Sequence, residues 1–153
     1  MRRIEKLVVD ANVLLSIVIG GKGARRVVNH PCAPILYATP DVHKEVEEYI
    51  PILSENKKLK KKGLTLNHLY SVWAFVPVRI AQAPKESEAW NVAKRYLGNR
   101  DPDDIPTAAL ALYLNCPIWS QDKDFDEVRS FLQIYNTGQL IDLLDTLLFE
   151  EEC

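Results

Sequence analysis

The sequence predicts an α/β fold of three layers: a central, mostly parallel, twisted sheet of about five strands with helices on both faces. Three observations carry that expectation. Short β-branched or aromatic runs alternate with longer helical stretches along the whole chain. The stretches between runs are long enough to be crossover helices, which parallel neighbours require. The chain has 153 residues, 47% of them hydrophobic, enough to bury a core and suited to one domain spanning 1–153.

The first strand is read at Lys6 to Val9, ending on the acid Asp10, with a short helix from Val13 broken by Gly20, Gly21 and Gly23. A second helical piece starts at Ala24, and Pro31 and Pro34 bracket a loop before ILYAT, the second strand. Thr39 with Pro40 behind it is the signature of a capped helix start, and Val42, Val46, Tyr49 and Ile50 follow at helical spacing. That helix runs into a charged stretch closing at Gly63, and LTLNHLYSVWAF is helical in pattern. FVPVRI offers a third strand, which Pro77 assigns to a sheet edge or a strand end. Lys85 to Leu97 places Ala89, Val92, Ala93 and Tyr96 on one face of a helix that closes at Gly98. Asp101 and Pro102 open the next helix, whose small apolar residues from Ile105 to Leu114 suit close packing on a sheet. CPIWS reads as the fourth strand, Asp124 to Leu132 as helical, QIYN as the fifth strand, and Thr137 as the cap of a last helix to about Phe149.

Composition excludes several classes. Charged residues of mixed sign make up 26% of the chain, so disorder is not indicated. The formal net charge of −2 means that any nucleic-acid partner is held by a local basic patch or through cations. Charges interrupt the first apolar stretch too early for a signal-peptide core, and no run approaches the roughly 20 apolar residues of a membrane span. A soluble, cytoplasmic protein without a membrane partner is expected. Cys32, Cys116 and Cys153 are odd in number and widely spaced, with no zinc-ligand pattern, which favours reduced, structural thiols.

In parallel α/β sheets, ligands bind beyond the carboxyl ends of the strands. Those ends are acidic here: Asp10 closes the first strand, Asp122 follows the fourth, and Asp101, Asp103 and Asp104 crowd the start of the helix leading into it. One such acid proves little, because Asp before a helix caps its free amides. Several carboxylates on one rim repel one another, and Mg²⁺ or Mn²⁺, which prefer oxygen ligands, removes that conflict. Such ions activate water and stabilise a leaving oxygen in phosphodiester cleavage.

Four segments, VVDANVLL, TPDVHKEVEEY, DPDDIPTAALAL and PIWSQDKDF, together resemble the ordered motifs of PIN-domain nucleases, including the VapC-like ribonucleases, over essentially the full chain. The resemblance implies a PIN-like fold with catalytic acids Asp10, Glu45, Asp104 and Asp122, of which Asp10, Asp104 and Asp122 hold the metal. Asn12 and Ser120 match supporting polar residues, and Asp101 and Asp124 stand in reserve, their plainer role being to cap helices. It further implies metal-dependent hydrolysis of RNA by activated water, a homodimer, and an antitoxin protein as a possible partner. Two alternatives stand beside it. A PIN fold persists also as a catalytically silent module that binds RNA or protein. A phosphotransferase using Asp10 as nucleophile resembles a DxD pattern, but the second position here is Asn12.

Other features favour plainer readings. The glycines around Lys22 lack the Walker spacing and are read as a turn, though Lys22, Arg25 and Arg26 lie where they would reach an RNA backbone. The run Lys57, Lys58, Lys60, Lys61 and Lys62 suits phosphate contact but is more simply a solvated helix face. Neither His30, His43 nor His68 assembles with a nucleophile, and His43 is only a weak candidate for the site.

Overall fold

The computed structural model describes residues 3–121, 125 and 128–153. Its sheet has the order β3-β2-β1-β4-β5, with β1 at Lys6–Val9, β2 at Ile35–Ala38, β3 at Val78–Ile80, β4 at Ile118–Trp119 and β5 at Ile134–Tyr135. Every pairing is parallel, so the expected sheet is present and is more uniform than "mostly parallel". Leu7 faces Leu36 on one side of β1, and Val8 and Val9 face Ile118 and Trp119 on the other. β3 lies at an edge, where Pro77 removes no ladder bond.

The helices are α1 (Ala11–Val18), α2 (Lys22–Val28), α3 (Pro40–Ser54), α4 (Lys57–Lys61), α5 (Leu66–Phe75), α6 (Glu88–Leu97), α7 (Ile105–Leu114) and α8 (Thr137–Phe149). A single 3₁₀ turn at Pro102–Asp104 leads into α7. Alternation along the strands divides the core in two. Leu7, Val9, Leu36 and Trp119 pack with α1, α2, α3, α5 and α8, whereas Val8, Ile118 and Ile134 pack with α6 and α7. The chain moves outward from β1 to β3 under the first layer and returns to β4 under the second, as a constant crossover handedness demands.

Local chemistry sets the boundaries. Thr39, Thr65 and Ser87 accept hydrogen bonds from the backbones of Val42, His68 and Trp90, capping α3, α5 and α6. Ser87 moves the expected start of α6 from Lys85 to Glu88. The cap of α8 is Asn136, which forms a capping box with Gln139; Thr137 is the first helical residue instead. Its hydroxyl accepts from Trp119 Nε1 at 3.0 Å and from Gln121 Nε2 at 2.9 Å, tying the end of β4 to α8. The expected helix over 124–132 falls partly outside the described residues.

Gly20 adopts φ +92°, and a Cβ on Gly21 would lie 2.4 Å from Ser16 Oγ, so this glycine pair makes the tight turn between α1 and α2. Of the basic residues after it, Arg25 folds back to donate to the carbonyls of Ile17 and Val18 at the end of α1. Arg26 pairs with Asp145 on α8 at 2.6 Å while staying exposed, and Lys22 is exposed as well. The lysines of α4 and Lys62 are exposed, in keeping with a solvated face.

The thiols depart from the expectation. Cys32 and Cys153 form a disulfide with their Cα atoms 5.1 Å apart, and only Cys116 is free. The pairing joins positions 121 residues apart. No spacing rule anticipates it, because α8 brings the tail back to the loop before β2 only in the folded chain.

Leu144 is fully buried on α8, while Leu148, one turn later, is 44% exposed. Leu144→Ala is expected to destabilise the protein by about 2–5 kcal/mol, and Leu148→Ala by roughly 0.5 kcal/mol or less. Urea unfolding of both variants checks the difference.

Candidate active site

Asp10 directly follows β1, the central strand, at the point where the chain's order reverses between β2 and β4. Both of its oxygens are engaged. Oδ1 accepts the backbone N–H of Val13 at 3.0 Å and so caps α1, while Oδ2 accepts the hydroxyl of Ser120, which follows β4. The two readings of Asp10, a helix cap and a member of an acidic site, are thus compatible in one side chain. Ser120 is only 2% exposed, so its position is fixed by packing as well as by this bond.

The cleft above Asp10 has a volume of about 420 Å³. Its walls come from opposite layers: Asp41 and Glu45 from the start of α3, and Asp103 and Asp104 from the 3₁₀ turn before α7. Asn12, Thr107 and the buried ring of Phe125 complete it. Five carboxylates line the cleft, and among the described residues no Lys or Arg does.

Three of the expected catalytic acids, Asp10, Glu45 and Asp104, share this cleft; Asn12 also lines it, and Ser120 donates to Asp10. Asp122 and Asp124 lie outside the described residues. Asp101 precedes the 3₁₀ turn, makes no side-chain cap bond there and is not among the cleft residues. His43 turns toward Glu47 and the ring of Trp73 instead.

Two acids went unassigned in the sequence reading. Asp41 sits four residues before Glu45, a spacing that puts both on one helix face. Asp103 had been set aside for its neighbour, yet a tight 3₁₀ turn brings both to the cleft. Among the described residues, no three His, Cys, Asp or Glu side chains converge closely enough to hold a metal ion by themselves.

Electrostatics register the crowding. Partial burial raises the pKa of Glu45 above the usual carboxylate range, and the negative charges of Asp10, Asp103 and Glu48 raise it further. Because the folded state binds this proton more tightly than the unfolded chain, ionised Glu45 lowers stability at neutral pH, and that penalty disappears as pH falls through the carboxylate range.

A parallel α/β domain with an acidic cleft at its topological switch point defines the class of protein. The chain belongs to the PIN domain family, whose model matches residues 8–132. PIN domains are generally nucleases. The chain is similar in fold to PAE2754 from Pyrobaculum aerophilum, with a TM-score of 0.60 at 14% identity over 94% of this chain and 97% of that one. It is also similar to a chain of VapBC2 from Rickettsia felis, solved bound to a DNA fragment from their promoter, with a TM-score of 0.58 at 12% identity over 86% and 98% of the two chains. No curated protein matches the chain in sequence.

Two measurements follow from this geometry. In protein stripped of metal, Glu45→Gln is expected to raise the melting temperature at neutral pH, with the gain vanishing toward acid pH; a calorimetric pH series checks the sign. Ser120→Ala removes a hydrogen bond to a carboxylate and is expected to cost about 1.5–3 kcal/mol near neutral pH, read from denaturant unfolding.

Proposed function

We propose that this protein is a Mg²⁺- or Mn²⁺-dependent endoribonuclease that hydrolyses RNA phosphodiester bonds. The observation that carries the reading is that five carboxylates, Asp10 from the end of β1 and two from each helix layer, line one cleft at the switch point of the sheet. Acids gathered without a lining cation are costly as anions, and a divalent ion relieves that cost.

The donor set fits such an ion by its chemistry. Mg²⁺ takes hard oxygen ligands, commonly one or two carboxylates with waters and substrate phosphates, and needs no three-ligand protein cage. In this reading Asp10, Asp104 and Asp122 hold the metal, with Asp41 and Asp103 further carboxylates in reach of the same cleft. When bound, the ion supplies an activated water and neutralises charge on the phosphate.

The chain's own groups do the rest. Val13 N–H and the Ser120 hydroxyl fix both oxygens of Asp10, so that carboxylate is oriented before substrate arrives. Glu45, whose proton affinity is raised by its surroundings, accepts a proton from the attacking water or orients it. Asn12 is exposed at the cleft, where its amide would donate to substrate. Asp101 and Asp124 remain reserves, and no covalent enzyme intermediate is required.

RNA is the proposed substrate; with no Lys or Arg lining the cleft among the described residues, a divalent ion held by these carboxylates would supply the positive charge for its phosphate. A homodimer and an antitoxin partner are proposed on the likeness to VapBC2 and on exposed apolar groups such as Phe75 and Phe149, 86% and 89% accessible. A cytoplasmic location and a single domain over 1–153 are part of the proposal; no helix among the described residues is long and apolar enough to cross a membrane.

The test separates catalysis from capping. Asn caps a helix as well as Asp does, whereas Ala does not. Asp10→Asn is therefore expected to keep the fold and lose cleavage by about 10²-fold or more, while Asp10→Ala also loses the α1 cap, about 1 kcal/mol, and the bond from Ser120, about 1.5–3 kcal/mol more. Manganese-stimulated cleavage of labelled RNA is the readout. Undiminished cleavage by Asp10→Asn would sink the site assignment, and a wild-type protein that neither cleaves nor gives a calorimetric Mn²⁺ isotherm is the silent binding module instead.

A further inference from the structure

At the opposite end of the strands from the acidic cleft, the Cys32–Cys153 disulfide borders a second cavity of about 230 Å³. Arg3, Glu5 and Lys6 from the approach to β1 and its first residue line it, an excess of one positive charge among the lining residues, and Pro31 and Pro34 stiffen the opposite wall, while Glu150, Glu151 and Glu152 are exposed just before Cys153. The two half-cystines differ sharply in setting. Cys32 is 7% exposed, whereas Cys153 is exposed on the tail beyond α8.

The Cys32 side is anchored without the disulfide. Its backbone N–H donates to His30 Nδ1 at 3.0 Å, which leaves the ring proton on Nε2 to donate to Asp145 at 2.8 Å. Asp145 is held in turn by Arg26. With the disulfide open, the contacts of His30, Asp145 and Arg26 would still join α2, the following loop and α8.

We propose that Cys32–Cys153 is a thiol-exchange site that takes a small anionic thiol, of the acidic-peptide type, in the cavity flanked by Arg3 and Lys6. The thiolate attacks Sγ of the exposed Cys153, the S–S bond breaks, and Cys32 leaves as a thiolate that takes up a proton. A second thiol then displaces the mixed disulfide, so that two thiols are oxidised to one small disulfide and the protein gains two cysteine thiols. The reverse sequence, with the small disulfide as oxidant, closes the tether. In the cytoplasmic location proposed above, disulfides are usually transient and catalytic or redox-sensing, intracellular proteins of hyperthermophiles excepted.

Cys116 would confuse thiol counting, although burial pushes its thiol up to about 11 and makes it a poor competitor. The test therefore uses the full chain carrying Cys116→Ser, with and without Arg3→Gln or Lys6→Gln. Opening is followed by alkylation and peptide mass under glutathione, which is anionic, and under cysteamine, which is cationic. The ratio of the two rates in each variant, divided by that in the parent, cancels the thiols' intrinsic reactivity. The glutathione preference is expected to fall about fivefold when one flanking cation is removed, the weight of one unit-charge contact in water, and to fall likewise in high salt. The mixed disulfide is expected on Cys153. Having two cation variants and the salt series keeps the test decisive if one substitution fails to fold. Equal ratios in parent and variants, a disulfide that opens only on unfolding, or oxidised protein whose Cys32 and Cys153 both alkylate would each overturn the proposal.

Discussion

The arrangement depends on one carboxylate at the end of a buried strand. β1 is covered on both faces, and Leu7, Val8 and Val9 have no exposed surface, so the residue that follows emerges at the centre of the sheet. Asp10 is tolerated there because both oxygens accept hydrogen bonds, one starting α1 and the other joining β1 to the segment after β4. The same two bonds that relieve its desolvation also fix its direction. Stability and orientation at this position therefore have one physical cause.

Around that fixed acid the other carboxylates are placed against electrostatic preference. Asp10 and Asp103 both raise the proton affinity of Glu45, which means that the folded chain holds like charges closer together than the unfolded chain does. A protein selected for stability alone would place a lysine or an amide in such a cleft. The proposed use of a divalent ion would account for the retained repulsion.

Much of this was legible in the sequence. Runs such as KLVV and ILYA read as strands because β-branched and aromatic residues suit a sheet buried on both faces, and the Thr39-Pro40 pair marked α3 almost to the residue. Asp10 and Glu45 could be placed because their positions follow from a strand end and a helix start. Other features needed three dimensions. Asp103 reaches the cleft only because a 3₁₀ turn carries it there, and Asn136 outcompeted Thr137 as a cap because the Thr hydroxyl is occupied by Trp119 and Gln121. The Cys32–Cys153 bond is a long-range closure, invisible to spacing rules that describe local frameworks.

The division of the core into two layers has a consequence for the cleft. Asp41 and Glu45 ride on the layer that holds α3, Asp103 and Asp104 on the layer that holds α7, and Asp10 is fixed to the sheet between them. The gap between the acidic walls is therefore the thickness of a packed sandwich, measured at its rim. Ala108, Ala109 and Ala111, all without exposed surface, set that thickness on the α7 side by letting the helix backbone lie close to the sheet. A few buried methyl groups, the first of them one helical turn from Asp104, thus act as the spacer that sets how strongly the carboxylates feel one another.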